Sequence, residues 1–306
     1  RAYVPVQRLA IYTYFERIHV ANRTTGMTDD DDDSLLRFWK ERWQAAGYMP
    51  VVLTEKDASF DQLPSDNGKN ESDQYSYRYI TKQWYDSIQS KLDALRLDDF
   101  SRVQFRKWIA MVAVGGGWYS DYDNFPLHPL HRRNTGTENT IPVQETLPND
   151  GRMTVHNIIS PTFASGTAKE WMATLEALLD DAKIHCHQPN SIRVAHDQYH
   201  FDCFYTDSLA IHSLQSDDHK MKPLTGRLVY APFQRRDPVA FDNAEFCSGK
   251  TFRHKWTVHF SPEIMQGGMH VPPSDRLPKF RSKVAKSWLD RLDIVCPINA
   301  TQAIPS

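Results

Sequence analysis

The sequence of 306 residues lacks a long hydrophobic run, and no segment approaches the roughly 18 consecutive apolar residues of a membrane-spanning helix. It also lacks an excess of charge of either sign, because 36 Lys and Arg residues oppose 38 Asp and Glu residues. The formal net charge of −2 argues against a protein that binds nucleic acid through bulk positive potential, although a local basic patch stays open. We therefore expect a globular protein with no nucleic-acid partner and no membrane span within this sequence.

Cysteine is scarce and is confined to the second half of the chain. The four cysteines are Cys186, Cys203, Cys247 and Cys296. Their spacings match none of the patterns typical of zinc sites. An even number suits two disulfides in an oxidising compartment, and separate buried thiols are the alternative. Three Asn-x-Ser/Thr sites, which begin at Asn22, Asn70 and Asn299, lie in polar or terminal stretches where a glycan would be tolerated.

Internal repeats and low-complexity segments are also absent, apart from a block of five aspartates at residues 29–33. Residues 9–15 form an apolar and aromatic run that is typical of a central strand. The aspartates suit the positive end of a helix dipole and predict a helix that ends at Gly47, and residues 49–53 predict a second buried strand. A strand, a helix and a strand in succession favour a parallel sheet with a right-handed crossover. We therefore predict an α/β fold with a Rossmann-like, mixed and mainly parallel central sheet flanked by helices.

The remainder of the chain predicts further helices and strands. Helices are expected at residues 77–95, 98–114, 168–181 and 278–294, and strands at residues 153–159, 223–232 and 256–260. Residues 160–166 predict a turn. The backbone amides of Ala164, Ser165 and Gly166 in that turn could contact a substrate, or could simply cap the helix that follows.

Two carboxylates follow a predicted short strand near the middle of the chain. Gly115, Gly116 and Gly117 predict the end of a buried helix and a turn, because glycine adopts positive φ without strain. Residues 118–120 would then form a strand that ends at Asp121 and Asp123. In a regular strand these two carboxylates would lie about 7 Å apart on one face, and at a bend both could converge on one divalent cation. Oxygen ligands suit Mg²⁺ or Mn²⁺.

The motif around these aspartates resembles that of a known family. The run Gly116-Gly117-Trp118-Tyr119-Ser120-Asp121-Tyr122-Asp123, followed by Pro126-Leu127, is similar to the Gly-Gly-x-Tyr-x-Asp-x-Asp signature of DXD-containing glycosyltransferases of family 32. The resemblance covers residues 98–130. It implies a GT-A fold and a metal-dependent, retaining transferase. Such an enzyme moves a hexosyl or N-acetylhexosaminyl group from a nucleotide diphosphate-sugar donor to a glycan or glycoconjugate acceptor, with Mn²⁺ or Mg²⁺ as cofactor.

The resemblance also implies roles for individual residues at the metal. Asp123 would be a direct metal ligand, and we expect it to be exposed. Asp121 would contact the ribose or the sugar hydroxyls and the metal, directly or through water. His259 ends a short apolar strand at a place where related enzymes supply a third metal or diphosphate ligand, although a histidine in such a strand could equally be a core residue.

Other residues are candidates for contact with the donor or the acceptor. Tyr12 and Tyr14 lie at the tip of the first strand, where open α/β sheets bind ligands, and could stack on a base or simply pack in the core. The motif adds Gly117 and Tyr119 as donor contacts. Arg106 is the candidate for a diphosphate or ribose contact, although the arginine position of the family falls near Trp108 and Arg106 could be a surface residue. The candidate acceptor-side carboxylate is Asp197, beside the aromatic residues 199–204.

The resemblance divides one GT-A domain into two halves and suggests a location. Residues 1–130 would bind the nucleotide-sugar and residues 131–306 would bind the acceptor. With the cysteines and the glycosylation sites, a transferase favours the lumen of the secretory pathway, in particular the Golgi. We expect contact with a membrane only through an N-terminal leader or anchor absent from this chain.

Two other functions are compatible with the same residues. Haloacid-dehalogenase-type phosphatases also use Asp-x-Asp at the end of a buried strand with a divalent cation. Their motif usually continues to Thr or Val and lies near the chain start, whereas Asn124 and Phe125 follow here, after residue 120. A non-catalytic sugar-binding protein on a transferase fold would retain Asp121 and Asp123.

Overall fold

The computed structural model describes residues 9–18, 26–60, 80–127, 147–156, 160–187, 193–195, 201–215, 229–230, 234–235, 256–261 and 277–295. Within them lie the helices α1 (Asp29–Ala45), α2 (Lys82–Leu95), α3 (Asp99–Ala113), α4 (Ala168–Cys186), α5 (Asp207–Gln215) and α6 (Arg281–Val295). The strands are β1 (Ala10–Tyr14), β2 (Met49–Leu53), β3 (Gly116–Ser120), β4 (Asn124–Pro126), β5 (Thr154–Val155), β6 (Phe163–Thr167), β7 (Arg193–Ala195), β8 (Phe201–Cys203), β9 (Val229–Tyr230), β10 (Gln234–Arg235) and β11 (Thr257–His259).

The main sheet has six strands in the order β2-β1-β3-β6-β5-β9. Strand β1 is parallel to β2 and β3, and β5 is parallel to β9, whereas β6 is antiparallel to both of its neighbours. A second sheet, β10-β11-β4, joins the segment after β3 to the late part of the chain. The prediction of a Rossmann-like α/β fold with a mixed, mainly parallel sheet flanked by helices is confirmed.

The first strand, helix and strand follow the sequence closely. Thr28 caps α1, since its hydroxyl accepts from the backbone of Asp31, and the Asp31 carboxylate accepts from the Thr28 backbone N–H at 2.9 Å. Four aspartates then occupy the first turn of α1, as the dipole argument predicts. Strands β1 and β2 pair in parallel over their full length, from Ala10 opposite Met49 to Tyr14 opposite Leu53. The predicted βαβ unit is therefore present.

Two hydrophobic clusters pack on opposite faces of β1. Tyr12 and Tyr14 belong to the cluster that includes residues of α2, α3, α4 and α5. Ile11, which points to the other face, belongs to the cluster that includes residues of α1, α6, β4 and β11. This alternation follows from the two-residue period of a strand and buries β1 on both faces.

The prediction of a turn at residues 160–166 is confirmed only for residues 161–162, because residues 163–167 form β6. Gly166 lies opposite Gly117 in the antiparallel pair with β3. A Cβ on Gly116 would lie 2.5 Å from the backbone nitrogen of Ala168, so the small residues permit close approach of two backbones. The residues Ala164 to Gly166 are thus strand residues, and the capping role belongs to Thr167, whose hydroxyl accepts from Glu170 N at 3.4 Å.

Several other predicted elements are described only in part or have other bounds. Of the strand predicted at 153–159, residues 153–156 are described and Thr154–Val155 form β5. Of the strand predicted at 223–232, the described residues are Val229–Tyr230. The late helix is divided into a 3₁₀ turn, Pro278–Phe280, and α6. No helix of the described part of the chain is both long and apolar enough to span a bilayer.

One of the predicted disulfides is present, between Cys186 at the end of α4 and Cys203 at the end of β8. Both cysteines are buried. The Cys203 backbone N–H donates to the Arg96 carbonyl at 2.8 Å, so the bond also joins α4 to the connection between α2 and α3. Cys247, Cys296 and the three glycosylation sites lie outside the described residues. The finding agrees with an oxidising compartment.

Candidate functional site

The site is built where β3 ends and the chain turns into β4. Gly115, Gly116 and Gly117 all have positive φ, at 89°, 80° and 116°, which allows α3 to lead directly into the strand. After β3 a tight turn forms, in which the Asn124 backbone N–H donates to the Asp121 carbonyl at 3.0 Å. The turn presents Asp121 and Asp123 at the carboxyl edge of the parallel strands, where α/β sheets bind ligands.

Strand pairing brings His259 to the same place. Strand β11 is antiparallel to β4, with His259 opposite Asn124, and the Phe260 backbone N–H donates to the Asp123 carbonyl at 2.9 Å. Ligand atoms of Asp121, Asp123 and His259 lie within 4.8 Å of one another. This cluster could hold a metal ion, and the convergence predicted from the sequence is present. Carboxylate oxygens with one imidazole are compatible with Mn²⁺.

Asp123 is buried, with 6% of its surface exposed, and the expectation that it is an exposed ligand is wrong. His259 Nε2 lies 3.2 Å from its Oδ1, and the Arg281 guanidinium donates from Nη1 to its Oδ2. No well-oriented hydrogen bond from the described residues reaches Oδ1. That oxygen, buried and facing an imidazole, suits a cation that replaces the histidine proton.

Arg281 was not predicted from the sequence. It is the first residue of α6 and is 3% exposed, and its Nη2 lies 2.9 Å from the sulfur of Met27. It stands 158 residues from Asp123 in the chain. In the sequence it is one of several basic residues of an amphipathic helix, which gives no sign of a buried partner.

Neighbouring groups of opposite charge shift the pKa values of Asp123, His259 and Arg281. Burial alone would raise the pKa of Asp123, but His259 and Arg281 outweigh burial and lower the pKa to about 2. Burial would lower the pKa of His259, but the Asp123 carboxylate raises it above the usual range. The pKa of Arg281 is likewise raised, because Asp123 outweighs burial. Asp123 is therefore ionised at neutral pH, and His259 attracts a proton more strongly than a free imidazole does.

Asp121 has a different environment and is partly exposed, at 24% of its side chain. Its Oδ1 accepts a hydrogen bond from the Tyr119 hydroxyl and lies 3.9 Å from Lys107 Nζ. Burial raises the pKa of Asp121, Lys107 opposes that rise, and Asp123 adds to it. Asp121 is therefore the carboxylate of the pair that holds its proton more tightly.

Lys107 is a second functional candidate that sequence reasoning missed. It is 3% exposed, and its Nζ lies 2.7 Å from Oδ2 of Asp207, the first residue of α5. Burial lowers the pKa of Lys107, but Asp121 and Asp207 outweigh burial and raise it. A signal was available, because Trp108 and the apolar residues after it predict a buried helix, and a buried lysine requires a charged partner.

Arg106 lies at the same edge of the sheet but contacts other groups. Its guanidinium donates to Glu16, which follows β1, and lies 3.5 Å from Glu55, which follows β2. It also borders a cavity of about 270 Å³. The cavity is lined by Glu55, Lys56, Ala58, Ser59, Tyr85, Gln89 and Arg106. Contact of Arg106 with a donor stays a prediction.

The tyrosines of β1 are core residues in this structure. Tyr12 is 9% exposed and Tyr14 is 5% exposed, and the Tyr14 hydroxyl donates to Glu16 at 2.6 Å. A Cβ on Gly117 would lie 3.3 Å from the Tyr12 ring, so the motif glycine packs against that tyrosine. Stacking of Tyr12 or Tyr14 on a base stays a prediction. Asp197 and the adjoining residues 199–200 lie outside the described residues.

No protein-family model, no curated protein and no solved structure matches the chain. The motif at residues 116–123 and the geometry around Asp121, Asp123 and His259 are therefore the grounds on which a function is assigned.

Proposed function

We propose that this protein is a metal-dependent glycosyltransferase of GT-A type. It would transfer a hexosyl or N-acetylhexosaminyl group, with retention, from a nucleotide diphosphate-sugar to a glycan or glycoconjugate. The observation that supports the proposal is the convergence of Asp121, Asp123 and His259 at the carboxyl edge of a Rossmann-like sheet. The Gly-Gly-x-Tyr-x-Asp-x-Asp run that resembles glycosyltransferase family 32 forms this edge.

The charges around the cluster favour a divalent cation with an anionic substrate. Asp121, Asp123 and Asp207 contact two permanent cations, Lys107 and Arg281. With His259 neutral, the carboxylates outnumber these cations by one, so the net charge of the site is negative. A bound divalent cation would make this net charge positive. A bound cation would offset the negative charge that develops on a departing phosphate oxygen.

The chain's own residues have separate roles in this proposal. Asp123 and neutral His259 bind the cation from the buried side, and Arg281 keeps Asp123 ionised. Asp121, the more exposed carboxylate, contacts the cation and the hydroxyl groups of the ribose or sugar. Asp197 is proposed for the acceptor side. Residues after β2 border a cavity together with Arg106 and two residues of α2, and this cavity suits the nucleoside end of the donor.

We propose the lumen of the secretory pathway, in particular the Golgi, as the place of this activity. The support is the disulfide between Cys186 and Cys203 together with three Asn-x-Ser/Thr sites. Occupied glycans at Asn22, Asn70 or Asn299, detected by mass spectrometry of the protein from secretory cells, would test it. Unmodified asparagines at all three sites would count against a lumenal location.

A panel of nucleotide sugars tests the proposed reaction. Many transferases slowly transfer their donor to water, so we expect release of nucleotide diphosphate from one or two donors with Mn²⁺, and none with a chelator. Simple phosphate esters serve as the control substrate, because a phosphatase would cleave them. Saturable sugar binding without any turnover would identify a non-catalytic lectin, and phosphate-ester cleavage would identify a phosphatase. Either result contradicts the proposal.

His259 makes the metal requirement depend on pH. Only the neutral imidazole binds a cation, and the raised pKa of His259 means that protons compete at higher pH than for a free histidine. We therefore expect the affinity for Mn²⁺ to fall as pH drops through that raised pKa, beginning above about 6.5. His259→Ala should raise the Mn²⁺ concentration for half-maximal activity by about 10–100-fold and flatten this pH dependence.

The control for His259 is His212→Ala, which removes an exposed histidine of α5. Mn²⁺ activation curves of the folded variants at two pH values provide the measurement. An unchanged midpoint in His259→Ala, with reduced thermal stability, would show that His259 is a core residue without a role in metal binding.

A further inference from the structure

Two buried side chains contact Asp121 from the protein interior. We propose that Tyr119 and Lys107 are positioning residues. They hold Oδ1 of Asp121 by contacts within the protein and leave Oδ2 available to bind a ligand. The inference rests on the proposed function for the identity of that ligand, a divalent cation with its sugar donor. It also gives the Tyr119 hydroxyl a role different from the direct donor contact that the motif suggests.

The first support is the set of contacts at Oδ1. The Tyr119 hydroxyl donates to this oxygen, and Lys107 Nζ lies 3.9 Å from the same atom. Tyr119 is 1% exposed and Lys107 is 3% exposed, so both contact Asp121 from within the protein. Among the residues that the structure describes, no side chain donates a hydrogen bond to Oδ2. The side chain of Asp121 is 24% exposed, so this carboxylate is open to a ligand while the two groups that contact Oδ1 are buried.

The second support is that Lys107 is itself immobilised. Its Nζ lies 2.7 Å from Asp207 Oδ2 and donates to Gln104 Oε1 at 3.0 Å. The same Asp207 oxygen accepts from Trp108 Nε1 at 2.9 Å, and Asp207 is fully buried. With Asp207 and Gln104 as two of its partners, the ammonium group has a third proton that it can direct toward Asp121. A lysine held this way cannot follow Asp121 if that carboxylate moves.

A third support is the ring of Tyr119 itself. Lys107 Nζ lies 5.3 Å from the centre of this ring, within the range of a cation–π contact. The tyrosine thus contacts both the lysine and the carboxylate, and the three groups form one packed unit. A carboxylate held in one orientation loses little entropy when it binds a ligand, which is the physical benefit of such a unit.

The test uses Tyr119→Phe, which removes one hydroxyl and no packing volume. The matched control is Tyr205→Phe, because Tyr205 is also buried and its hydroxyl donates to a buried carboxylate, Asp181, away from the site. We measure binding of Mn²⁺ alone by the electron paramagnetic resonance of the free ion, and donor turnover separately. We expect Tyr119→Phe to weaken Mn²⁺ binding about tenfold and Tyr205→Phe to leave it unchanged.

A double-mutant cycle separates positioning from a general structural effect. In an Asp121→Ala background, Tyr119→Phe should have no further effect on Mn²⁺ affinity, because its target is gone. Lys107→Met combined with Asp207→Asn removes the buried ion pair, and the Trp108 N–H keeps an acceptor. This pair of substitutions should also weaken Mn²⁺ binding when Asp121 is present and have no further effect in the Asp121→Ala background. Equal losses with and without Asp121, or wild-type affinity in Tyr119→Phe, would overturn the inference.

The outcome also separates this inference from the proposed function. A wild-type protein that binds Mn²⁺ and shows the cycle, yet turns over no nucleotide sugar, would support positioning and contradict the transferase. A protein that turns over donors but shows no coupling between Tyr119 and Asp121 would contradict positioning alone. A wild-type protein that binds no Mn²⁺ would overturn both.

Discussion

Asp123→Ala is expected to abolish Mn²⁺-dependent turnover and to destabilise the fold. The carboxylate is a metal ligand in the proposed site, and it is also the partner of Arg281 and His259, both of which are buried. Removing one member of a buried ion pair typically costs about 3–5 kcal/mol, because the other charge is left without a partner. The loss should therefore appear in the free energy of unfolding as well as in activity.

Two further variants separate these effects. Asp123→Asn keeps the volume and should retain more stability than alanine while still losing activity. Asp123→Ala with Arg281→Leu removes both charges and should recover much of the stability without recovering turnover. Asp86→Ala is the control, because its ion pair with Lys82 is exposed and such pairs contribute about 0.2–1 kcal/mol.

Urea denaturation gives the stability of each protein, and nucleotide release with Mn²⁺ gives the activity. Wild-type turnover by a folded Asp123→Asn protein would remove Asp123 from the metal site. A wild-type free energy of unfolding in Asp123→Ala would contradict the buried ion pair with Arg281.

The second large effect concerns the disulfide. Cys186→Ala with Cys203→Ala should lower the free energy of unfolding by about 3 kcal/mol. The chain-entropy model gives this value for a loop of about 15 residues. The two cysteines are separated by 17 residues in the sequence. The bond restrains β8, and Asp207 follows it closely in the chain. We therefore also expect a smaller decrease in activity, transmitted through the pair of Asp207 with Lys107.

Denaturation of wild type and variant, each with and without reductant, provides the measurement. Reduced wild type should approach the stability of the variant. The double variant keeps Cys247 and Cys296. If reductant still lowers the stability of this variant, Cys247 and Cys296 form a second disulfide. Equal stability of the oxidised wild type and the variant would mean that the disulfide does not contribute to folding.

The parts of the fold that the sequence predicts are those with local patterns. The apolar run of β1, the aspartate block with its cap at Thr28, and the three glycines each specify their own conformation through nearby residues. The convergence of Asp121 and Asp123 is local in the same sense, since one turn contains both. His259 was predicted only through the resemblance, and strand pairing with β4 gives its physical reason.

The parts that the sequence does not predict depend on distant partners. Arg106 and Lys107 are adjacent, and sequence reasoning chose Arg106, but the rotation of about 100° between neighbours on a helix directs them differently. Arg106 contacts Glu16 and Glu55, whereas Lys107 contacts Asp121 and Asp207. The misassigned turn at β6 has a similar cause, because small residues mark either a bend or close contact with another strand, and only the partner strand decides.

The position of Arg281 at the start of α6 has a consequence for synthesis of the chain on the ribosome. A nascent chain that has emerged only through β4 contains both aspartates, but neither His259 nor Arg281. During that interval Asp123 has no cationic partner from the late part of the chain, and the turn at Asp121 lacks the strand β11 that pairs with β4. The site is thus completed only after β11 and α6 have been synthesised, so a nascent chain that lacks them cannot bind the metal with its full set of ligands.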